Sequence, residues 1–423
     1  MNQGSGACLW TPVPQQCPAP CDRYKHASCA HRGHVYLLGG REKCSLRDFW
    51  KYNVVCNDWV ELPCDSDEAP EEVEEHTMVA HQGFLYVFGG LRDSSYSNSK
   101  TPLWVFDTGK ECWINWKADS VALQGVTPGN RKGHSAVILG SSMYIYGGYI
   151  DIKGSTKEFW KFDFESRVWS QRSSAQVGPG PRHSHSAVTH GEWMYLYGGL
   201  QGLREQKDLW SWSSASQTWS CIKFHSSGPS RLVGHSAVLF KDSILIFGGG
   251  ETQSSPQNSL WKFNLETQTW KKLPLLPGSA SVYRIHHCSV GLGQSFQPTT
   301  PTSIYYREIP NSHNIKNKLR PFKNKCQPSR TTLQEPCFEL QTFHKESKKY
   351  LADISIALKD SKLKGSCLTF ENQEAVGEKR KSCELTEESE DEMFLHMPDL
   401  MLVLGGKPLQ GQQGISVWHM TVA

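Results

Sequence analysis

Short runs of branched and aromatic residues recur along this chain, each ended by Gly, Ser, Asn or Asp. The clearest set lies at 131–169. There 134–139 (HSAVIL) turns apolar after a polar start, and 140–142 (GSS) reverses the chain. A second apolar run at 143–146 (MYIY) ends at Gly147 and Gly148. A loop leads to 159–163 (FWKFD), and a last turn ends at Trp169. Branched and aromatic side chains suit a pleated surface and Gly and Ser suit turns, so the stretch predicts four short strands.

The unit repeats. A His stands 13 residues before the first Gly of a Gly-Gly pair five times: His26/Gly39, His76/Gly89, His134/Gly147, His185/Gly198 and His235/Gly248. A Trp on the third run is followed nine residues later by another, also five times: Trp50/Trp59, Trp104/Trp113, Trp160/Trp169, Trp210/Trp219 and Trp261/Trp270. Two independent rulers with a period near 50 residues mark one four-stranded blade per repeat, the signature of a β-propeller.

The rulers also read the ends of the chain. After His287 a Gly-Gly pair is due near 300, yet the next is Gly405 and Gly406, late by 105 residues. Trp418 lies on a third strand whose partner Trp would fall at 427, past the last residue, 423. Near the N-terminus Trp10 has the setting of a fourth-strand Trp with no blade of its own. A composite sixth blade is therefore expected, with three strands from the C-terminal end and its outermost strand from the N-terminus. Such sharing holds first and last blades together. The expected division is 1–22 for the closing strand and link, 23–292 for blades one to five and the start of blade six, 293–398 for an insertion within blade six, and 399–423 for its remaining strands. The insertion has no Trp and no repeat. It is rich in Lys, Ser, Glu and Pro, which predicts disorder with at most a short helix at 349–359. Its charge is segregated, with a basic run at 316–325 and an acidic one at 387–392.

Composition narrows the classes of function. The net charge of +3 is too balanced to make nucleic acid or an anionic membrane a default partner. No run of 18 apolar residues predicts a membrane span, and residues 1–10 lack the basic and apolar regions of a secretory signal. The 14 Cys are irregularly spaced and no Asn-x-Ser/Thr sequon occurs, which favours free thiols in the cytoplasm, with the nucleus as an alternative. Cys17 and Cys21 are the nearest approach to a zinc pair, and no second pair meets them, so no metal or other cofactor is expected.

The run RxxHSAV, then YxYGG, then WKFD with a Trp nine residues after the first, resembles the kelch repeat. The match covers about 10–292 and 400–420. The resemblance implies an all-β fold, a six-bladed kelch propeller, and a protein-binding role. Kelch propellers serve as adaptors, in ubiquitin-ligase substrate receptors, in Rab effectors and in cytoskeletal or polarity proteins. A substrate receptor of a cullin-type ligase is thus one alternative, although no BTB, BACK or F-box segment is recognisable here. A propeller enzyme is the other. Against it, the sequence has no sialidase box, no iron motif of the specifier proteins and no copper pair of Tyr and His, so no catalytic residue is expected.

By analogy with kelch proteins, a partner is expected on the face formed by the inter-blade links and the loops between second and third strands. Those loops carry Arg41, Arg92, Tyr149, Arg204 and Glu251, the candidate partner-binding residues. The links end in Arg23, Arg131, Arg182, Arg231 and Arg284, read as five equivalent ring positions. They would form a positive mouth for an acidic or phosphorylated peptide, or, as repetition favours, bond backbone carbonyls between blades. The His series and the Trp series recur with the repeat and read as architecture, while His183 and His286 read as link residues. Ser389, ahead of Glu390, Asp391 and Glu392, has the setting of an acidophilic-kinase site.

Overall fold

The structure is a computed structural model that describes residues 7–91, 102–115, 126–172, 177–224, 226–252, 254–296, 397–411 and 414–422. The insertion's expected disorder and short helix, and the candidates Arg92 and Ser389, lie outside the described residues. Six antiparallel four-stranded sheets form the blades. Blade three is Ser135–Leu139, Ser142–Tyr146, Phe159–Asp163 and Trp169–Arg172, the strands read from the hydrophobic pattern. The inner strands are Ala27–His31, Thr77–His81, Ser135–Leu139, Ser186–His190, Ser236–Phe240 and Cys288–Leu292. Each packs on the next, and the last packs back on the first. The ring therefore closes.

Blade six is composite as expected. Cys288–Leu292, Leu400–Leu404 and Val417–Val422 are joined by Cys8–Pro12 as the outermost strand. Trp10 lies opposite Met420, the register in which Trp169 lies opposite Phe162 in blade three. The core is laid down between neighbouring sheets. Trp10 packs on Phe247 of blade five at 4.4 Å between ring centroids, and Phe49 of blade one meets Phe106 of blade two edge-on at 4.8 Å. Large rings remove the most apolar surface from water, which explains their repetition at each blade junction.

The Gly-Gly pair has a steric cause. Gly40 donates its N–H to the Val73 carbonyl of the next blade's link at 2.8 Å. The bond recurs at Gly90, Gly148, Gly199, Gly249 and Gly406, the last reaching Arg23 of blade one. At Gly89, with φ of +71°, a Cβ would lie 2.5 Å from the Arg131 carbonyl oxygen, so no side chain fits the approach.

Candidate functional site

Three link Arg of the regular pattern are gripped by an acid of their own blade, while the fourth, Arg284, donates to the Tyr283 carbonyl and lies over the Trp418 ring, with Ser416 at the acid position. Arg23 grips Asp48 with two bonds of 2.6 and 2.7 Å and also donates to the Gly39 carbonyl. Arg131 meets Glu158 at 2.7 Å, and Arg182 grips Asp208 at 2.8 and 2.9 Å. The same carboxylates accept the indole N–H of Trp50, Trp160 and Trp210. Burial pushes the Asp208 carboxyl up, but Arg182 and Trp210 outweigh it and hold it below the usual carboxylate range. Where the Arg is missing, the acid is missing too. Val73 goes with Pro102 in blade two, and Leu232 goes with Ser259 in blade five.

Two expectations need correction. These Arg bond carbonyls of their own blade rather than between blades, and they are buried, so they do not form a positive mouth. Nor is Arg231 one of them. The regular Arg stands three residues before the His, whereas Arg231 stands four before His235. Leu232 occupies the ring position at 1% exposure and Arg231 turns out to solvent.

The His series is structural as expected. His134, His185, His235 and His287 each share a hydrogen bond through Nε2 with the hydroxyl of Thr77, Ser135, Ser186 or Ser236 on the preceding blade, at 2.7 to 2.9 Å. That hydroxyl belongs to the residue following the preceding His. In blades one and six the corresponding residues are Ala27 and Cys288.

One residue before each His, the chain adopts the left-handed region. Lys25, Glu75, Gly133, Ser184, Gly234 and His286 have φ between 55 and 64°. Their backbones form a closed hydrogen-bonded circle. Lys25 N–H donates to His286, Glu75 to Lys25, Gly133 to Glu75, Ser184 to Gly133, Gly234 to Ser184 and His286 to Gly234. This circle rims a small central opening of about 120 Å³. Glu74 and Glu75 knit its charges, with Glu74 paired to Arg41 at 2.8 Å and Glu75 paired to Lys25. Burial pushes the Glu75 carboxyl up, and Lys25, with His286 and Lys132 nearby, more than reverses this.

The inter-blade links and the loops between second and third strands share one face, joined by bridges such as Tyr24 to Arg41, Lys132 to Tyr149 and His183 to Leu200. Arg41 is half-buried there and held by Glu74. Tyr149 lies beneath the Lys132 ammonium, 5.5 Å away, and edge-on to His183. Glu251 and Arg204 are exposed in separate blades, and the structure does not gather the four described candidates into one pocket.

What the face does present escaped the sequence reading. Two small hairpins, Tyr149–Ile150 with Gly154–Ser155 and Leu200–Gln201 with Arg204–Glu205, project from adjacent blades. Their tips are apolar and bare, with Ile152 at 92% and Leu203 at 99% exposure. Beside the second, a recess of about 360 Å³ opens between blades four and five. Arg204, Lys207, Lys223 and Arg231 line it with Ile222 and Phe224. Of its lining, Arg204 was already a candidate on its loop, and the slip of Arg231 from the spacing of the other link arginines is a second signal in the sequence.

The KLHDC2/KLHL20/DRC7 Kelch-repeats domain model matches residues 6–121 and 114–296, well over half of the chain. Similar curated proteins include the human Kelch domain-containing protein 3, 29% identical over 197 residues (44% of this chain, 50% of that protein). The Drosophila melanogaster Leucine-zipper-like transcriptional regulator 1 homolog is 26% identical over 224 residues (48% and 23%). The human Host cell factor 2 is 27% identical over 205 residues (44% and 25%). The chain thus spans half or less of the length of these relatives. No helix among the described residues is long and apolar enough to cross a membrane.

Proposed function

The chain belongs to the kelch-repeat family, and on that premise we propose that it is a non-catalytic interaction module, an adaptor holding a partner protein on the loop face of its propeller. One observation carries the reading: the nearly bare apolar tips Ile152 and Leu203, on hairpins of adjacent blades on that face and outside the repeat. Ile152 strengthens it. A β-branched residue at φ of 71° is strained, and strain retained at an exposed tip points to use rather than folding. The cations around the second tip favour an acidic or phosphorylated partner over nucleic acid, because they form one compact cluster rather than a stripe. We take the working compartment to be the cytoplasm or the nucleus, on the sequence grounds given above.

The test is proximity labelling in cells with the intact chain and with an Ile152→Gly, Leu203→Asp double variant. Glycine relieves the strain at 152, so the variant is expected to melt within a few degrees of the parent while losing its main partners by about tenfold, the weight of one or two apolar anchors. An unchanged set of partners would remove the loop-face reading.

A further inference from the structure

The recess between blades four and five goes further than a generic docking face. Four cations converge on it from three parts of the fold. Arg204 closes the short Leu200–Gln201 and Arg204–Glu205 hairpin, and Lys207 follows it on the way to the third strand, Leu209–Ser213. Lys223 follows the outermost strand, Thr218–Ile222, and Arg231 comes from the link to blade five. All four are exposed, and among the described residues none has an anionic partner. The acid that lines the recess, Asp208, is already gripped at both oxygens by Arg182 and takes the Trp210 indole as well. Its charge is balanced from behind, which leaves the four cations uncompensated.

Arg231 sharpens the point. Had it kept the ring spacing, it would be buried against its own blade like Arg182. The one-residue slip puts Leu232 into the ring and delivers a guanidinium to the recess instead. Half-buried Ile222 and Phe224 add an apolar lining beside the charges.

We propose that this recess binds a phosphorylated side chain of a partner protein, with Arg204 and Arg231 on the phosphate, Lys207 and Lys223 beside it, and the neighbouring peptide residue on Ile222 and Phe224. The assignment rests on the loop-face reading above and names the chemistry that one part of that face selects. A phosphate carries close to two charges at neutral pH and three acceptor oxygens, which matches several cations around one small recess better than a single carboxylate does. A nucleic-acid backbone would call for a longer basic track with several stacking rings, and the lining holds one aromatic residue, Phe224.

The experiment uses the full chain and three degenerate peptide pools that differ only at a fixed central residue: phosphoserine or phosphothreonine, serine, and glutamate. The phosphorylated pool is expected to be retained about tenfold more strongly than the serine pool, and to be lost as salt is raised, as charge-assisted bidentate pairing requires. Arg204→Glu with Arg231→Glu should abolish that preference. Lys110→Glu, at a side chain 77% exposed in the turn between third and fourth strands of blade two, should leave it intact. Both variants are checked first by thermal melting, and none of these residues is buried. Equal retention of phosphorylated and serine pools would overturn the proposal, as would retention unaffected by the double variant. A glutamate pool held equally well would make the ligand a carboxylate, and displacement by a single-stranded oligonucleotide at lower concentration than by the phosphorylated pool would make it nucleic acid. Either result overturns the phosphate assignment. Loss of partners on changing Ile152 and Leu203 without any phosphate preference would leave the loop-face reading standing and remove this one alone.

Discussion

Arg182 is almost fully buried, and its charge is tolerable because Asp208 meets it with two oxygens at 2.8 and 2.9 Å. Asp208→Ala would strand that guanidinium, and breaking one partner of a buried pair typically costs about 3–5 kcal/mol. The expected result is a fall in melting temperature on the order of 10 °C. Arg231→Ala, on an exposed residue outside the ring, should change stability by no more than about 0.5 kcal/mol. Thermal melts of the two variants side by side check the register: equal losses would return Arg231 to the ring. The distinction was available in the sequence, since Arg23, Arg131, Arg182 and Arg284 all stand three residues before a His and Arg231 stands four before. The hydroxyls that meet the His series were also in view, as the Thr or Ser following each His in blades two to five. Their bonds were not legible, because each partner lies about one repeat away and strand pairing alone does not state which neighbour a ring faces.

The strand Cys8–Pro12 decides whether the ring is closed or open. Trp10 is 2% exposed, pressed on Phe247, and its strand pairs with Val417–Val422 along its whole length. Trp10→Ala should cost about 3–5 kcal/mol in urea unfolding, as for other large aromatic residues removed from a core. Deleting residues 1–20 should do more, because it bares the edge of Val417–Val422 and invites association through unpaired backbone groups. Light scattering would report the association, and an unchanged melting temperature of the deleted chain would sink the closure. This strand was legible because the spacing of the Trp series survives the break in the chain. The two hairpins on the loop face were not. Ladders of two residues are too short to leave a periodic pattern, and bare Ile152 and Leu203 run against the rule by which apolar residues mark the interior. The candidate site was therefore only partly readable. Arg204 and the loops that carry it followed from the repeat, while the recess depends on how blade four and the next link meet in space.

At the scale of the whole propeller, six imidazoles stand in a circle around the central opening, next to the circle of left-handed residues that joins all six blades. Burial pushes each of them down, to about 3 for His26, His76 and His134 and about 4 for His235, and well below the usual range for His185 and His287. The buried guanidiniums of Arg23, Arg131, Arg182 and Arg284 reinforce the effect at His26, His134, His185 and His287. The six are therefore neutral in the folded ring, while an unfolded chain protonates them near pH 6.5. Between the two values the unfolded state binds more protons, so stability is complete above about pH 6.5 and is lost as pH falls toward about 3 to 4. Each histidine contributes up to about 1.4 kcal/mol per pH unit in that window. All six act in the same direction, so their combined slope is steep against the marginal stability of a typical domain. The ring should therefore unfold steeply between about pH 6 and about pH 5, above the range in which Asp48 and Asp208 would be protonated. Urea midpoints measured from about pH 7.5 down to about pH 5 would show the decline, and His134→Gln should make it shallower, since glutamine does not titrate there. A midpoint that stays level across this range would mean that the imidazoles are protonated without unfolding, and that the circle is open to water.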